Sequence, residues 1–271
     1  MVNFTKPMIM GILNVTPDSF SDGGAYPSTS DAVAHAEMMA HQGADIIDIG
    51  GESTRPGAQR VSAQEQIRRI VDVVGEVRRT LPSEILISID TTLSEVAEAA
   101  IAAGASLIND VTAGTDDKEM FSLAADKKVP ICLMHMQGRP DNMQDNPQYD
   151  NVLDEVLSFL MRQAEKAKKV GINDKNIIID PGIGFGKTTE HNLILLKNLS
   201  KVVATGYLVM LGTSRKRFMG DICNLEEEGQ RIPATCATTA LGVLAGAHIF
   251  RVHDVWQNRQ ALDVAWNTMQ A

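Results

Sequence analysis

The 271-residue chain is 44% hydrophobic but only 4% aromatic, a composition that suits a large aliphatic core. Its formal net charge of −9 argues against non-specific binding to nucleic acid or to an anionic membrane. Three cysteines without metal-ligand spacing exclude a disulfide framework, and no signal-peptide pattern or apolar run of about 18 residues appears, so a soluble cytoplasmic protein is expected.

In chain order, eight short apolar runs are predicted as strands: Ile9–Asn14, Ile46–Gly50, Ile85–Asp90, Leu107–Asp110, Ile131–Met134, Ile177–Asp180, Tyr207–Gly212 and Ile249–Val252. Continuous apolar runs suit parallel strands buried on both faces. Helical spacing fills the gaps at 30–42, 62–79, 94–103, 117–127, 151–170, 188–203, 233–246 and 254–268. The second of these places Ile67, Ile70, Val71, Val74 and Val77 on one stripe. Gly43, Gly104 and Gly171 each follow a helical run, and Asp254 stands where it can cap the last one. Eight such units close a (β/α)8 TIM barrel, an α/β fold that the length accommodates as a single domain over residues 1–271.

A barrel of this kind carries its chemistry at the carboxyl ends of the strands. Those ends read Asn14, the turn 50–57, Asp90, Asn109–Asp110, His135, Asp180, Ser214–Lys216 and Arg251–His253. The connections 15–29, 50–61 and 213–231 on that rim are unusually long. Asp90, Asn109 and Asp180 can pair with the donor and acceptor edge of a flat heterocycle, although Asp90 also precedes a Thr-Thr-x-Ser run that it can help to cap. Lys216 offers a point charge that Asp180 can keep protonated. Arg251 and His253, beside a helix start, suit a pyrophosphate, with Asn14 offering an oxygen to Mg²⁺.

Other motifs read as structural. The run Gly182-Ile183-Gly184-Phe185-Gly186-Lys187-Thr188 lacks the glycine spacing of a phosphate-binding P-loop. Met134, Met136 and Met143 suit packing and pocket lining, and Cys132 an inert core position. His35 and His41 lie on the first helix, and no His-x-His or His-Glu-x-x-His pattern offers a zinc site.

Together these motifs carry a family resemblance. Asn14-Val15-Thr16-Pro17-Asp18-Ser19-Phe20-Ser21-Asp22-Gly23-Gly24 and Gly50-Gly51-Glu52-Ser53-Thr54-Arg55-Pro56-Gly57 resemble the two signature loops of the bacterial dihydropteroate synthases. Ile89-Asp90-Thr91, Ile108-Asn109-Asp110, the 180–187 run, Ser214-Arg215-Lys216 and Arg251-Val252-His253-Asp254 continue the match, which spans residues 9 to 254.

The resemblance implies a transferase of folate biosynthesis, a sulfonamide target, that condenses 6-hydroxymethyl-7,8-dihydropterin pyrophosphate with 4-aminobenzoate. It implies that Asp90, Asn109, Met134, Asp180, Phe185, Gly212 and Lys216 bind the pterin. It gives Asn14, Arg251 and His253 the pyrophosphate, Asn14 also the Mg²⁺ cofactor, and Asp22, Lys216, Arg251 and His253 the catalytic roles. Phe20, Ser53, Thr54, Arg55, Pro56 and Arg217 resemble the elements that form the 4-aminobenzoate site. Arg217 departs from a common pattern with serine there, which replaces a hydroxyl contact to the aminobenzoate carboxylate by the backbone N–H. A homodimer through helices late in the barrel is also implied. Two rivals share the pterin set: a pterin-binding methyltransferase barrel that serves a corrinoid protein, and a non-catalytic pterin carrier. The first has no need of the 54–56 loop or of an Arg/His pyrophosphate end, and the second turns nothing over.

Overall fold

A computed structural model describes residues 6–16, 28–53 and 60–271. The strands, all parallel, are β1 (Met8–Asn14), β2 (Ile46–Gly50), β3 (Leu86–Asp90), β4 (Leu107–Asp110), β5 (Ile131–Met134), β6 (Ile177–Asp180), β7 (Leu208–Leu211) and β8 (Ile249–Val252). They pair in sequence order, and β8 closes on β1 with Met10 opposite Arg251. The barrel expected from the eight apolar runs is therefore the observed fold.

Around it lie α1 (Thr29–His41), α2 (Ala63–Thr80), α3 (Ser94–Ala103), α4 (Met120–Lys127), α5 (Val152–Lys169), α6 (Thr189–Lys197), α7 (Leu199–Val203), α8 (Arg217–Cys223), α9 (Ile232–Leu244) and α10 (Val255–Gln270). None of the described helices is long and apolar enough to cross a membrane. Gly43, Gly104 and Gly171 all take positive φ, as their places after helical runs suggested.

Three features depart from the sequence expectation. The helix predicted over 188–203 breaks at Asn198, whose Nδ2 donates to the Ile194 carbonyl and competes with the helical ladder. Within the connection 213–231 a short helix, α8, was missed because Gly220 reads as a breaker. That glycine is needed for closeness: a Cβ there would meet the Leu225 carbonyl at 2.6 Å. Finally, Asp254 makes no side-chain cap on α10, because its carboxylate takes both arms of the Arg215 guanidinium, at 2.9 and 2.5 Å.

The pleat positions the site. Alternate residues point into the barrel, and the lower layer is an apolar plug of Met10, Ile46, Leu107, Cys132, Ile178, Met210 and Ile249. Two residues further along, the same strands carry Ile12, Asp48, Asn109, Met134, Asp180, Gly212 and Arg251. The outward set, including Ile47, Ile49, Ile87, Ile108, Ile179 and Leu211, joins the larger core against the helices. An apolar floor thus ends in a polar ceiling within one pleat repeat.

The 182–186 loop lies flat on the end of β5. Gly182 has φ +67°, and a Cβ there would fall 1.9 Å from the His135 carbonyl oxygen. Gly182→Ala is expected to destabilise the fold by about 2–5 kcal/mol, from left-handed strain plus forced displacement of backbone. Gly171, with φ +104° and nothing within 4 Å, is the control, and its alanine should cost about 1–2 kcal/mol. Urea unfolding of both variants measures the difference; equal losses would mean that the loop does not need its close seat.

Candidate active site

A cavity of about 680 Å³ opens at the carboxyl ends of the strands. Asn14, Ser53, Asn109, Met134, Asp180, Phe185, Gly212, Lys216, Arg217, Arg251 and His253 all line it. The sequence-predicted residues from the ends of seven strands are therefore brought together. Phe20, Asp22, Thr54, Arg55 and Pro56 lie outside the described residues.

Asp180 ends β6 and is buried. Its Oδ1 accepts the Gly182 N–H at 2.7 Å, while a Cβ on Gly212 would sit 3.6 Å from Oδ2, so the second oxygen faces a gap kept open by glycine. Burial pushes the Asp180 carboxyl up to about 6, although the Gly182 N–H and the Lys216 charge pull the other way. Lys216 enters from the turn before α8, with Nζ 3.8 Å from the centroid of the Phe185 ring. Burial and the Arg251 charge lower its ammonium to about 8, against the pull of Asp180 and Asp90. Met134, Val111, Met143 and Phe185 form a small apolar cluster beside it, the pocket lining expected of these methionines.

Asp90 reaches the cavity through a partner. Its Oδ2 accepts from Arg251 Nη2 at 2.7 Å, and Arg251 Nε donates to Asp48 Oδ2 at 2.7 Å. Burial drives the Asp90 carboxyl upward, with Arg251 opposing and Asp48 adding to the rise. Burial also works against the Arg251 charge, but Asp48 and Asp90 outweigh it and hold the guanidinium above its ordinary range. Arg251, expected at the pyrophosphate, is thus also ion-paired with Asp90, a residue that the resemblance assigns to the pterin. Asp90 is no helix cap either, since the Ser94 N–H at the start of α3 is taken by Asp117 Oδ2 at 2.7 Å. The carboxylate of Asp110 closes its own turn, accepting from Thr112 and Gly114.

At the other end, Ser214 Oγ accepts the His253 backbone N–H at 3.1 Å and lies 3.0 Å from His253 Nδ1. A serine that donates to Nδ1 leaves a neutral ring with its proton on Nε2, a donor for an anion. Arg215 (φ +56°) also lines the cavity, but its guanidinium is taken by Asp254 and its backbone N–H by Thr235 Oγ1, whereas Lys216 Nζ lies over the Phe185 ring. Arg217 starts α8 with its side chain 88% exposed and 3.8 Å from Asp221, so its backbone rather than its guanidinium is the candidate group.

Sequence reasoning missed two buried charges. Lys187 donates to the carbonyls of His135 and Phe185 at 3.3 and 3.0 Å and lies 3.0 Å from His135 Nδ1. Burial lowers Lys187 to about 7, and burial together with Lys187 depresses His135 to about 3, so the imidazole is neutral and its Nδ1 can accept from the lysine. It pins the Phe185 loop to β5. The signal was present in the glycine-rich run, but that run reads as a failed phosphate loop. Asp48 was missed because it stands inside the apolar run of β2; only inward alternation with Ile46 reveals it.

The model for pterin binding enzymes matches residues 10–253. This chain belongs to that family. It is 48% identical to the dihydropteroate synthase of Clostridium beijerinckii, over 94% of this chain and 92% of the relative. The dihydropteroate synthase of Xanthomonas albilineans solved with 4-aminobenzoic acid superposes with a TM-score of 0.92 at 42% identity, over 100% of this chain and 95% of that one. The same organism's enzyme with 7,8-dihydropteroate gives 0.88 at 39% identity, over 100% and 96%. The Asp180, Asn109 and Lys216 corner of the cavity offers a carboxylate, a carboxamide and a cation as a candidate seat for a flat heterocycle.

That seat has a pH signature. A pterin that donates to Asp180 binds the carboxylate, so affinity should fall as pH drops through about 6; if it also needs the Lys216 ammonium, affinity should fall again as pH rises through about 8. Calorimetric titration of a pterin analogue from pH 5 to 9 should give a bell. Asp180→Asn should abolish the acid limb, and an unchanged limb in that variant would assign it to another group.

Proposed function

We propose that this protein is a dihydropteroate synthase, joining 6-hydroxymethyl-7,8-dihydropterin pyrophosphate to 4-aminobenzoate with release of pyrophosphate. The observation that carries the reading is one cavity lined by Asp180, Asn109 and Lys216 together with Arg251 and His253. Asp180 accepts from the donor edge of the pterin, and Lys216 meets its carbonyl side. When the methylene C–O bond breaks, the electron pair leaves with pyrophosphate, and the electron-rich ring delocalises the resulting cation. Arg251 and His253 hold the departing charge. The aminobenzoate nitrogen supplies its lone pair to the methylene carbon and then loses a proton, so no protein nucleophile is required. Ser53 and the Arg217 backbone N–H stand at the rim where the second substrate enters.

Mg²⁺ fits this donor set. The Asn14 carboxamide is a hard oxygen ligand on the cavity wall, and among the described residues no cluster of three or more His, Cys, Asp or Glu forms a full cage. Such a site suits a cation that takes its remaining oxygens from phosphate and water. Asn14 would hold it, and when bound it supplies further neutralisation of the leaving group.

Pyrophosphate release with and without 4-aminobenzoate tests the assignment. Release that requires both substrates supports it, whereas pterin binding without release would favour the carrier, and methyl transfer to a corrinoid protein would favour the methyltransferase.

A homodimer is proposed through α9 and α10, where Leu241, Leu244 and Val264 are 60%, 54% and 70% exposed around a groove of about 440 Å³. Sedimentation should give a dimer mass that Leu244→Glu reduces to a monomer; no change would remove this face. Three unpaired thiols, Cys132, Cys223 and Cys236, suit the reducing cytoplasm.

A further inference from the structure

Asn109 has two edges of opposite character, and the strand alone does not determine which one meets a ligand. Its neighbour does. Asp48 is 1% exposed, and its Oδ2 accepts from Arg251 Nε at 2.7 Å, so it faces Asn109 as a charge-paired acceptor. Only the amide nitrogen of Asn109 can meet a carboxylate there, and Nδ2 donates to Asp48 Oδ2 at 3.0 Å. The Asn109 oxygen is thereby turned to the other side. It is buried and has no partner among the described residues, on a residue that lines the cavity beside Asp180. Asp48 Oδ1 is likewise buried without a partner among the described residues. Unsatisfied buried oxygens weaken a fold and are kept where binding uses them.

We propose that Asp48 is a positioning residue that locks the Asn109 carboxamide with its oxygen toward the pterin, so the pocket reads the ligand's N–H donors with fixed acceptors at both Asn109 and Asp180. The inference rests on the dihydropteroate synthase reading and assigns specificity to a residue that touches no substrate. It also explains why an oxygen-bearing residue stands within the apolar run Ile46–Gly50: Oδ2 takes both the Arg251 Nε and the Asn109 Nδ2 protons, and an apolar side chain at position 48 would leave Asn109 free to flip.

Three proteins decide it: wild type, Asp48→Ala and Asp48→Asn. Each is titrated calorimetrically with 6-hydroxymethylpterin and with its counterpart lacking the 2-amino group. Wild type should prefer the amino compound at least tenfold. Asp48→Ala, which removes the oxygen that Asn109 and Arg251 share, should bind 6-hydroxymethylpterin at least tenfold more weakly and lose at least threefold of the preference. Asp48→Asn keeps an oxygen that Arg251 turns towards itself and that still accepts from Asn109, so affinity and preference should stay within threefold of wild type. Should Asp48→Ala fail to fold, Asp48→Ser, whose hydroxyl is too short to reach Asn109, takes its place. Unchanged preference in Asp48→Ala, no preference in wild type, or a loss of preference in Asp48→Asn as large as in Asp48→Ala overturns the proposal. Failure of wild type to bind 6-hydroxymethylpterin at all would instead overturn the functional reading.

Discussion

Arg251→Ala should abolish turnover and destabilise the protein by about 3–5 kcal/mol at neutral pH, the expected cost of removing one partner from a buried ionic network. The guanidinium is the cation that both Asp48 and Asp90 contact, and its removal leaves two buried carboxylates on the neighbouring strands β2 and β3 without it. Protonation then becomes the remaining route to neutrality. In the variant the Asp90 carboxyl, already pushed up by burial, loses the opposing pull of Arg251 and rises further above its unfolded value, so stability is lost as pH increases through that interval and recovered as pH falls towards 4. Denaturant unfolding at several pH values measures this. Adding Asp48→Asn to Arg251→Ala should restore part of the loss, because it deletes one of the stranded charges. The same variant should lose pyrophosphate binding and weaken pterin binding as well. A loss below about 1 kcal/mol, or one independent of pH, would mean that the network does not carry the charge balance of the barrel.

Asp180→Ala should have the opposite balance, with a large functional loss and little loss of stability. A hydrogen bond to a charged group contributes about 1.5–3 kcal/mol, so pterin-analogue affinity should drop at least tenfold. Burial raises the folded pKa of Asp180 to about 6, above its value in the unfolded chain, so its ionisation costs stability as pH rises through the interval from about 4 to 6. Removing the group removes that cost, although the Gly182 N–H loses its acceptor. Thermal unfolding at pH 7 should therefore show a change far smaller than the loss of affinity. Affinity that is unchanged in the folded variant would take Asp180 out of the pterin site.

These two outcomes divide what a linear reading can and cannot reach. Five strands, β2, β4, β5, β6 and β8, coincide with the predicted runs, because uninterrupted β-branched and aliphatic residues bounded by glycine or a polar group have few other uses at that length. The glycine-led signature at 180–187 and the Arg-x-His end of β8 are equally local, so Asp180, Lys216, Arg251 and His253 were found and do share one cavity. Composition and motif order were enough to specify the barrel, the rim that bears the chemistry and the family.

Tertiary structure alone decided how those charges are partnered. Asp48 and Arg251 are 203 residues apart, and Arg251 and Asp90 are 161 apart, yet each pair shares a hydrogen bond of 2.7 Å because the barrel closes β8 onto β1, with β2 and β3 next in the ring. Lys187 and His135, 52 residues apart, meet only where the loop after β6 folds flat onto β5. Strand periodicity says which face a side chain takes, since the pleat is a property of the local backbone. Which opposite charge or acceptor it meets depends on barrel closure and the stagger between strands, and those arise from packing all eight units at once. Arg251 could therefore be recognised from its motif, while its pairing with Asp48 and Asp90 had to await the closed barrel.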